Sequence, residues 1–490
     1  MKFTRRRFLK AAALTSIGYW AMAGNASKAQ PLANGKLGFA CFGAQSIKHS
    51  DGLATRYGDV VLLCDPDRTV LARAQEQHPK AKIFTDYRKA FDEMEKNFDV
   101  ADIATPEHLR ACISLRAMRA KKHCYVISPL ARTIYEARLM GKVAKEMGVV
   151  TQMENQGSNS KNFRLGAAQI KAGVLGTVKA VHVWSNRPIW AQGPGRRQTI
   201  EKFATETRAN QPDKADELIA AKMAEVDKAL ENLDWENWLG PAPERPFFPN
   251  LYDNVSCYPA AHHLGWFDFA TGALGAMAFH TVNLPFAGCD LTSPSSVVAK
   301  TSGHDFDSFP KSSEIKFEFP ATDARPAVEF YWYDGGNKPP QELRDQYDIG
   351  SPGSGAIVIG ERGALFSPDD YNGFWDLRGK DGAAAPEKLP ESELTNPRAG
   401  GDGHIVEFFR AVRENKPEEC WSNFPDYAAP FAEMILLGNV AVWAASTAGE
   451  WGEKIEWDAE NLVVKNLSSL QTPGVADLVK PKYRGEHRLD

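Results

Sequence analysis

A glycine and an aspartate are spaced in this sequence as they are in sites that bind nucleotides. Gly43 directly follows the apolar run 37–42, where a residue without a Cβ lets the chain turn tightly into a helix. Asp65 ends the next apolar run, about 20 residues further on, where a carboxylate can accept from both hydroxyls of a ribose. The pair predicts a dinucleotide and favours NAD over NADP, because the acid repels a 2′-phosphate. Asp65-Pro66-Asp67 equally suits a simple turn with a helix cap.

The loop after Gly43 departs from the usual glycine-rich pattern. Gln45 and Lys48 occupy the positions of the second and third glycines, which normally admit the pyrophosphate and let helix and strand pack closely. Gln45 places a side chain where phosphate would lie, and the charge of Lys48 compensates in part. Two outcomes stay open here: a dinucleotide held by Gly43, Gln45, Lys48 and Asp65, or a loop that no longer binds one.

Tyr258, His262 and His263 are candidate catalytic groups because imidazoles titrate near neutral pH and a loop here can project into a cleft. Adjacent residues of a strand point to opposite faces, so at most one of the two histidines is expected to face that cleft. No acidic residue stands at a ligand spacing from them, so we expect no metal.

Arg187 and Trp190 suit the rim of a carbohydrate site. An aromatic face stacks on sugar C–H groups, and a guanidinium donates hydrogen bonds to hydroxyls. The alternative is that both are loop residues packed on a sheet edge. A small-molecule carbohydrate is the partner that these residues favour.

Short apolar runs alternate with helix-period segments from residue 36 to residue 152, which predicts a doubly wound parallel sheet. The predicted strands are 37–42, 60–64, 100–105 and 123–127, and the predicted helices are 69–77, 87–96, 107–120 and 134–147. Ligands of such sheets bind at the carboxyl ends of the strands. Further on, residues 201–233 predict a charged helical insertion in solvent, and amphipathic helices are expected over 404–415 and 427–446.

The N-terminus predicts export. Arg5 and Arg6 precede Phe8-Leu9-Lys10 and a mildly apolar stretch, 11–23, which together match a twin-arginine signal peptide cleaved before Gln30. The alternative is a generic signal or a retained anchor. We therefore expect a periplasmic or otherwise exported protein without a membrane anchor after processing.

Composition narrows the partners further. The 490 residues carry a net charge of −4, which argues against nucleic acid as a partner. The seven cysteines form no C-x-x-C pair, and their odd number is a poor disulfide framework.

Several longer motifs carry a family resemblance. In the first half they are Ala104–His108, Lys122–Val126 with Ser128-Pro129-Leu130, Thr151–Met153 with Asn155-Gln156-Gly157, and Gly173–Val178. In the second half they are Leu233–Trp235, Trp238–Pro243, Thr271–Gly275, Trp332–Gly336 and Ser422–Phe424. From about Leu37 to Trp457 the chain thereby resembles the Gfo/Idh/MocA oxidoreductases.

The resemblance implies a Rossmann domain followed by an α/β domain with a large open mixed sheet, whose face often forms a homo-oligomer. It implies NAD(P)-dependent oxidation or reduction of sugars or cyclitols, or in some relatives cleavage of glycosides through the cofactor. It places a catalytic group at His280 and a substrate contact at Asn283. The cofactor contacts that it implies are Thr105, Pro106, His108, Ser128, Pro129 and Asn155.

The sequence departs from the family where the chemistry is expected. Ser128 replaces a lysine, Ala276 and Asn283 replace two carboxylates, and Arg110 replaces a histidine. Two functions therefore compete: an exported oxidoreductase with a tightly held nicotinamide cofactor, and a pseudoenzyme that binds carbohydrate or forms complexes. The expected domains are 1–29 (signal peptide), 36–152 (Rossmann), 153–470 (substrate and dimerisation) and 471–490 (tail).

Overall fold

Two β-sheets organise the part of the chain that the structure describes. The structure is a computed structural model and describes residues 36–43, 57–248, 260–394 and 403–489. The predicted signal peptide, Gln45, Lys48 and Tyr258 lie outside these ranges. One sheet is parallel and the other mixed, and helices pack on both, so the predicted α/β fold class is confirmed.

The first sheet has six parallel strands in the order β3-β2-β1-β4-β5-β6. They are β1 (Leu37–Phe42), β2 (Gly58–Cys64), β3 (Lys82–Phe84), β4 (Val100–Ile103), β5 (His123–Ile127) and β6 (Thr151–Glu154). Strands β1, β2, β4 and β5 agree with the sequence prediction, because a parallel sheet covered by helices on both faces demands nearly continuous apolar runs. The sequence does not predict β3, which has only three residues, or β6, in which Thr151, Gln152 and Glu154 are polar.

Four crossover helices connect these strands: α1 (Arg68–Gln77), α2 (Tyr87–Met94), α3 (Glu107–Arg119) and α4 (Ile134–Met147). Asp67, Asp86 and Thr133 each cap a helix by accepting backbone N–H groups of its first turn. These caps fix the helix starts beside the carboxyl edge of the sheet, where ligands of the fold bind.

The second sheet has nine strands in the order β13-β12-β11-β7-β10-β9-β8-β14-β15. They are β7 (Val178–Trp184), β8 (Ser296–Thr301), β9 (Ser313–Phe319), β10 (Val328–Tyr333), β11 (Gly355–Gly360), β12 (Ala364–Ser367), β13 (Asp376–Arg378), β14 (Ile455–Asp458) and β15 (Val463–Val464). Strands β7 and β10 pair in parallel and the other pairs are antiparallel, so the sheet is mixed, as the family resemblance implied.

Of the remaining helices, α13 packs on strands β8 and β9 of this sheet, and α9 packs on α13. In order they are α5 (Lys161–Lys171), α6 (Ile200–Asn210), α7 (Ala215–Asn232), α8 (Trp235–Leu239), α9 (Gly272–Thr281), α10 (Asn283–Gly288), α11 (Gln341–Gln346), α12 (His404–Glu414), α13 (Ala429–Trp443) and α14 (Val475–Val479). The prediction of an amphipathic helix over 427–446 is wrong in its pattern. Helix α13 is apolar on every side because it lies between α4, α9 and β8.

Helices α6 and α7 form the predicted insertion and are largely exposed. The chain leaving α7 returns to the first sheet: Leu233 pairs with Asp67 in an isolated antiparallel bridge, and Asp234 N–H donates to the Pro66 carbonyl at 2.9 Å. The insertion thus rejoins the molecule at the turn that follows β2.

Residues 483–489, which we call the C-terminal strap, pack against the first domain. The Tyr483 hydroxyl donates to Glu136 at 2.8 Å, and the Tyr87 hydroxyl lies 3.0 Å from His487 Nδ1. Leu489 is buried. The segment expected as a tail therefore covers helices α2 and α4.

The six cysteines in the described ranges are free thiols and buried, and burial raises the pKa of Cys112 and of Cys289 to about 12. No helix of those ranges is both long and apolar enough to cross a bilayer. The described residues also contain no group of three or more His, Cys, Asp or Glu side chains arranged for a metal.

Candidate functional site

Gly43, Thr105, Ser128 and Asn155 follow β1, β4, β5 and β6 and line the carboxyl edge of the first sheet. Gly43 has φ +96°, and a Cβ at this position would lie 2.6 Å from Thr105 N. Only glycine fits this turn without displacing the strand end beside it. The tight turn predicted after β1 is therefore present, and it lies directly against the chain that follows β4.

Asp65 and Asp67 occupy the turn after β2 and divide its two expected roles. Asp67 caps α1 by accepting from Thr69 N at 2.8 Å, whereas Asp65 accepts from Asp67 N at 2.9 Å. Asp65 is buried and is the acid nearer the strand end. The helix cap is thus supplied by Asp67, and a ribose contact at Asp65 stays a prediction.

His108 does not contribute its ring nitrogens to the cleft. They lie 2.9 Å from the Trp238 carbonyl and 3.2 Å from the Phe269 carbonyl, and burial lowers the pKa of the imidazole to about 4. The structure therefore corrects its expected cofactor contact: His108 ties α3 to the second domain.

Asn283 is corrected in the same way. It is buried at the start of α10, and its side-chain oxygen accepts from the Tyr427 hydroxyl at 2.6 Å. This bond joins α10 to the segment before α13. We assign Asn283 to packing and not to the substrate.

The sequence analysis notes Arg110 only as the replacement of a family histidine, and the structure places it at the carboxyl edge. Its guanidinium donates to the Thr105 carbonyl at 2.8 Å, to the Ile127 carbonyl at 3.2 Å and to the Pro129 carbonyl. Arg110 thereby joins the ends of β4 and β5. It also faces Glu154, whose pKa is raised to about 7 by burial against the opposing effect of Arg110.

Ser128 and His280 meet at the edge. The Ser128 hydroxyl lies 3.3 Å from His280 Nε2, and the Ser128-Pro129 peptide is cis. Burial, with the positive charge of Arg187 beside it, lowers the pKa of His280 to about 4. At neutral pH the imidazole is therefore uncharged. Its ring lies 5.0 Å from that of Tyr371.

Arg187 lies beside His280 and 3.7 Å from Asp370, so a charged pair stands at the second-domain side of the cleft. Trp190 is half-buried and donates to Gln192 at 2.8 Å. The structure thus brings Arg187 to His280, whereas a sugar contact at Trp190 stays a prediction.

His262 and His263 lie on a 3₁₀ helix, Ala260–Gly265, and not on a strand. The expectation that they point to opposite faces of a strand is therefore wrong. His263 Nε2 lies 3.1 Å from Glu107 Oε2, and Glu107 is completely buried. The acid that partners His263 stands 156 positions away in the sequence, so no spacing pattern could reveal it.

Several buried polar atoms around this edge have no hydrogen-bond partner in the described part of the chain. They are Thr105 Oγ1, Glu107 Oε1, Asn155 Nδ2, Gln156 Oε1, His280 Nδ1 and Asp370 Oδ1. Buried polar atoms are paired in the great majority of cases. A polar ligand bound at the carboxyl edge would satisfy them.

Comparison with known proteins agrees with this geometry. Residues 37–155 match the Gfo/Idh/MocA family model, which is described as "Oxidoreductase family, NAD-binding Rossmann fold". This domain belongs to the Gfo/Idh/MocA family. The chain is also 32% identical over 94 residues to levoglucosan dehydrogenase of Pseudarthrobacter phenanthrenivorans, a match that spans 19% of this chain and 24% of that relative.

Over most of its length the chain shares the fold of solved dehydrogenase structures. The WlbA dehydrogenase from Chromobacterium violaceum, in complex with NADH and UDP-GlcNAcA, covers 88% of this chain and 99% of its own at TM-score 0.52 and 14% identity. An inositol dehydrogenase homolog from Azotobacter vinelandii, complexed with NAD⁺, covers 88% and 100% at TM-score 0.52 and 13% identity. At such identities the likeness is one of fold, and function must be argued from the site.

Proposed function

We propose that this protein is an exported NAD(H)-dependent oxidoreductase that acts on a sugar or cyclitol. The observation that carries the proposal is the carboxyl edge itself: the glycine turn at Gly43 and the carboxylate of Asp65 stand at the ends of β1 and β2, where ligands of this fold bind, and buried polar atoms along the edge have no hydrogen-bond partner among the described residues. The family's description as NAD-binding supports the same cofactor.

The residues present fit a nicotinamide dinucleotide. Asp65 would hold the adenosine ribose, Gly43 and Thr105 would approach the pyrophosphate, and Ser128 and Asn155 would face the nicotinamide end. Bound there, the cofactor supplies a hydride acceptor or donor. Asp65 also favours NAD(H), because a 2′-phosphate would meet a like charge.

The second domain supplies polar groups for the substrate. His280, neutral at physiological pH, can accept a proton or a hydrogen bond through a ring nitrogen, and Ser128 can relay one. Arg187, held by Asp370, donates hydrogen bonds to hydroxyls. Sugars and cyclitols match this set because they present many hydroxyls and no obligatory charge.

A binding test decides the cofactor. Natively purified protein is denatured, the released small molecules are identified by mass spectrometry, and NADH and NADPH are titrated by fluorescence into stripped protein. We expect NAD(H) in the released fraction and tighter binding of NADH than of NADPH. Absence of binding for both nucleotides contradicts the proposal. Turnover is then sought by following NADH formation with a panel of sugars and cyclitols.

A specific observation favours a second candidate, the pseudoenzyme. Ser128 and Ala276 remove ionisable groups that the family resemblance implies, and neither nitrogen of His280 is paired with a carboxylate in the described residues. Such a protein would bind carbohydrate, with or without the dinucleotide, and turn nothing over. Calorimetric sugar binding without NADH formation across the panel would favour this candidate.

A further inference from the structure

Arg187 and Asp370 form a charged pair that no direct hydrogen bond closes. Arg187 Nη1 lies 3.7 Å from Asp370 Oδ2, which is beyond hydrogen-bond length, and the two side chains are 12% and 18% exposed. Asp370 Oδ1 is buried and has no hydrogen-bond partner among the described residues. We infer that this pair is a substrate subsite that recognises two neighbouring hydroxyls and rejects a sugar carboxylate. This inference rests on the proposed function and narrows its substrate class.

Contacts of the residue after Asp370 place the pair at the carboxyl edge. A Cβ on Gly157 would lie 2.7 Å from the Tyr371 carbonyl, so the turn that carries Asp370 packs directly on the chain that follows β6. The Tyr371 ring lies 5.0 Å from the ring of His280, whose Nε2 is 3.3 Å from the Ser128 hydroxyl at the end of β5. These contacts connect the turn to the ends of β5 and β6.

The turn between β12 and β13 is held by the aspartate next to Asp370. Asp369 accepts hydrogen bonds at 2.8 to 3.2 Å from the backbone N–H groups of Tyr371, Gly373 and Phe374. The side chain of Asp369 therefore stabilises the turn, whereas the carboxylate of Asp370 stands opposite Arg187.

The backbone around Arg187 is fixed by residues beside β10 and β11, the strands that flank β7. The Arg187 carbonyl accepts from Gly335 N at 2.7 Å, and Asn186 N donates to the Ser354 hydroxyl at 3.1 Å. The guanidinium donates to the Asn186 side chain, and it lies near enough to His280 to lower the pKa of that imidazole. Arg187 is thus oriented before a ligand binds, which reduces the entropy lost on binding.

A donor and an acceptor held side by side match a pair of adjacent hydroxyls. A carboxylate only accepts hydrogen bonds, and a guanidinium only donates them. One hydroxyl of the substrate can donate to Asp370 Oδ1 while its neighbour accepts from Arg187. The first of these bonds satisfies a buried acceptor that has no other partner among the described residues.

The pair also determines which substrate charge is tolerated. Arg187 alone would attract a carboxylate, because a guanidinium binds one through two parallel hydrogen bonds. Asp370 offsets that positive charge and repels a second carboxylate at the same place, which is one way in which a site excludes a close competitor. Neutral sugars and cyclitols are therefore favoured over uronic acids of the same ring.

The test measures sugar binding by calorimetry, with NADH present, to natively purified wild type and variants. The probes are myo-inositol and two matched pairs, glucose with glucuronate and galactose with galacturonate. Asp370→Asn removes the negative charge with little change in shape, and Arg187→Gln removes the cation. Asp376→Asn is the matched control, since this carboxylate is bonded to Arg378 at 3.0 Å on β13, three strands away from β7. Thermal unfolding verifies that each variant is folded.

We expect wild type to bind a neutral probe and to bind each uronate more weakly than its neutral partner. Asp370→Asn should weaken binding of the neutral sugar by about tenfold, because a hydrogen bond to a charged group is lost. It should also shift the ratio of the two affinities toward the uronate by at least about tenfold, because the like charge is gone. Arg187→Gln should weaken the neutral sugar without gaining the uronate, and Asp376→Asn should match wild type.

Monodeoxy analogues of the tightest neutral probe test the recognition of two hydroxyls. Removal of either of two adjacent hydroxyls should weaken binding to wild type by about tenfold or more, because a polar group of the site is left unpaired. Asp370→Ala removes the acceptor, so it should bind one of these two analogues as tightly as it binds the parent sugar.

Three results would each overturn the inference while NADH binding and turnover keep the proposed function. They are an affinity ratio in Asp370→Asn equal to that of wild type, a wild type that prefers the uronate, and deoxy analogues that all bind as tightly as the parent. A wild type that binds NADH but none of the probes overturns the inference together with the carbohydrate part of the proposed function.

Discussion

At the scale of single residues, two aspartates two positions apart have different tasks. Asp67 accepts the first N–H groups of α1, and Asp65 accepts the Asp67 N–H. From the sequence, nucleotide binding and helix capping are competing interpretations of one motif. In the structure Asp67 supplies the cap, so the cap does not occupy Asp65, and nucleotide binding by Asp65 stays a prediction.

This division gives a prediction with a matched control. We expect Asp65→Ala to weaken NADH binding by about tenfold to a hundredfold, because one charge-assisted hydrogen bond is lost. The same change should reduce the ratio between the affinities for NADH and for NADPH. Asp67→Ala should leave NADH affinity unchanged but lower the free energy of unfolding by about 1 kcal/mol through loss of the cap. Fluorescence titration and urea unfolding measure the two effects. Equal NADH affinity in Asp65→Ala and wild type would remove Asp65 from the cofactor site.

Single residues also mark where sequence analysis stops. The turn at Gly43 and the turn from Asp65 to Asp67 can be predicted because each directly follows an apolar run that forms a strand. His108, Asn283 and Glu107 were not, because each is defined by a partner more than 140 positions away or by several at once. Residue type indicates what a side chain can bind, whereas only the tertiary fold determines which partner it meets.

At the scale of elements, one buried ion pair joins helices α5 and α12, which lie far apart in the sequence. Arg164 on α5 donates to Glu407 on α12 at 2.7 Å, and both side chains are almost fully buried. Glu407 also accepts from Trp421 N at 2.7 Å, and the Arg164 guanidinium lies 4.8 Å from the Trp421 ring. Neither charge has access to water if its partner is removed.

We therefore expect Glu407→Ala to lower the free energy of unfolding by about 3–5 kcal/mol, because an unpaired guanidinium stays buried. Glu146→Ala is the control: it breaks an exposed pair with Lys142, 3.8 Å apart within α4, and should cost less than about 1 kcal/mol. Urea unfolding followed by tryptophan fluorescence measures both. Comparable losses in the two variants would show that burial does not govern the cost.

Prediction of an element from sequence depends on its hydrophobic pattern. Strands β1, β2, β4 and β5 can be predicted because their apolar runs are almost continuous. The amphipathic pattern expected for helix α13 is wrong because its neighbours bury all of its sides. This burial depends on the second sheet and on α4, which are distant in the sequence. A helix shows a hydrophobic period only when one of its faces is exposed to solvent. A helix surrounded by protein on all sides therefore shows none.

At the scale of the whole molecule, five buried histidines respond to pH together. Burial is the largest cause that lowers the pKa of each to about 4, in His108, His182, His280, His404 and His487. In an unfolded chain an imidazole has a pKa near 6.5. Between these values the unfolded state binds more protons, so stability increases with pH there and is lost as pH falls from about 6.5 to 4.

We expect the free energy of unfolding to decrease steeply as the pH falls from about 6.5 to 4. Glu154, with a pKa raised to about 7 by burial, acts with the opposite sign, since its contribution is lost as pH rises from about 4.5 to 7. His182→Gln should flatten the acid slope by about one proton and Glu154→Gln should steepen it. Urea unfolding between pH 4 and 8 measures the slopes, and a flat profile in wild type would contradict the shifts.

Export is a property of the whole precursor, and we propose that the twin-arginine pair directs it. Changing both Arg5 and Arg6 to Lys should hold the precursor in the cytoplasm, because this pathway requires the guanidinium pair. Fractionation and immunoblotting of cells that express either form measure the distribution. Undiminished export of the double variant would exclude this signal.

The C-terminal strap has a consequence for the order in which the molecule is assembled during synthesis. The ribosome releases the first sheet roughly 330 residues before Tyr483 emerges, and domains generally fold in that vectorial order. Until then Glu136 lacks its tyrosine, and Tyr87 lacks His487. The surface of the first domain is therefore completed only when the last residues of the chain have been translated. A chain that ends just before residue 483 should be cleaved by proteases first in the first domain, although that domain is translated early.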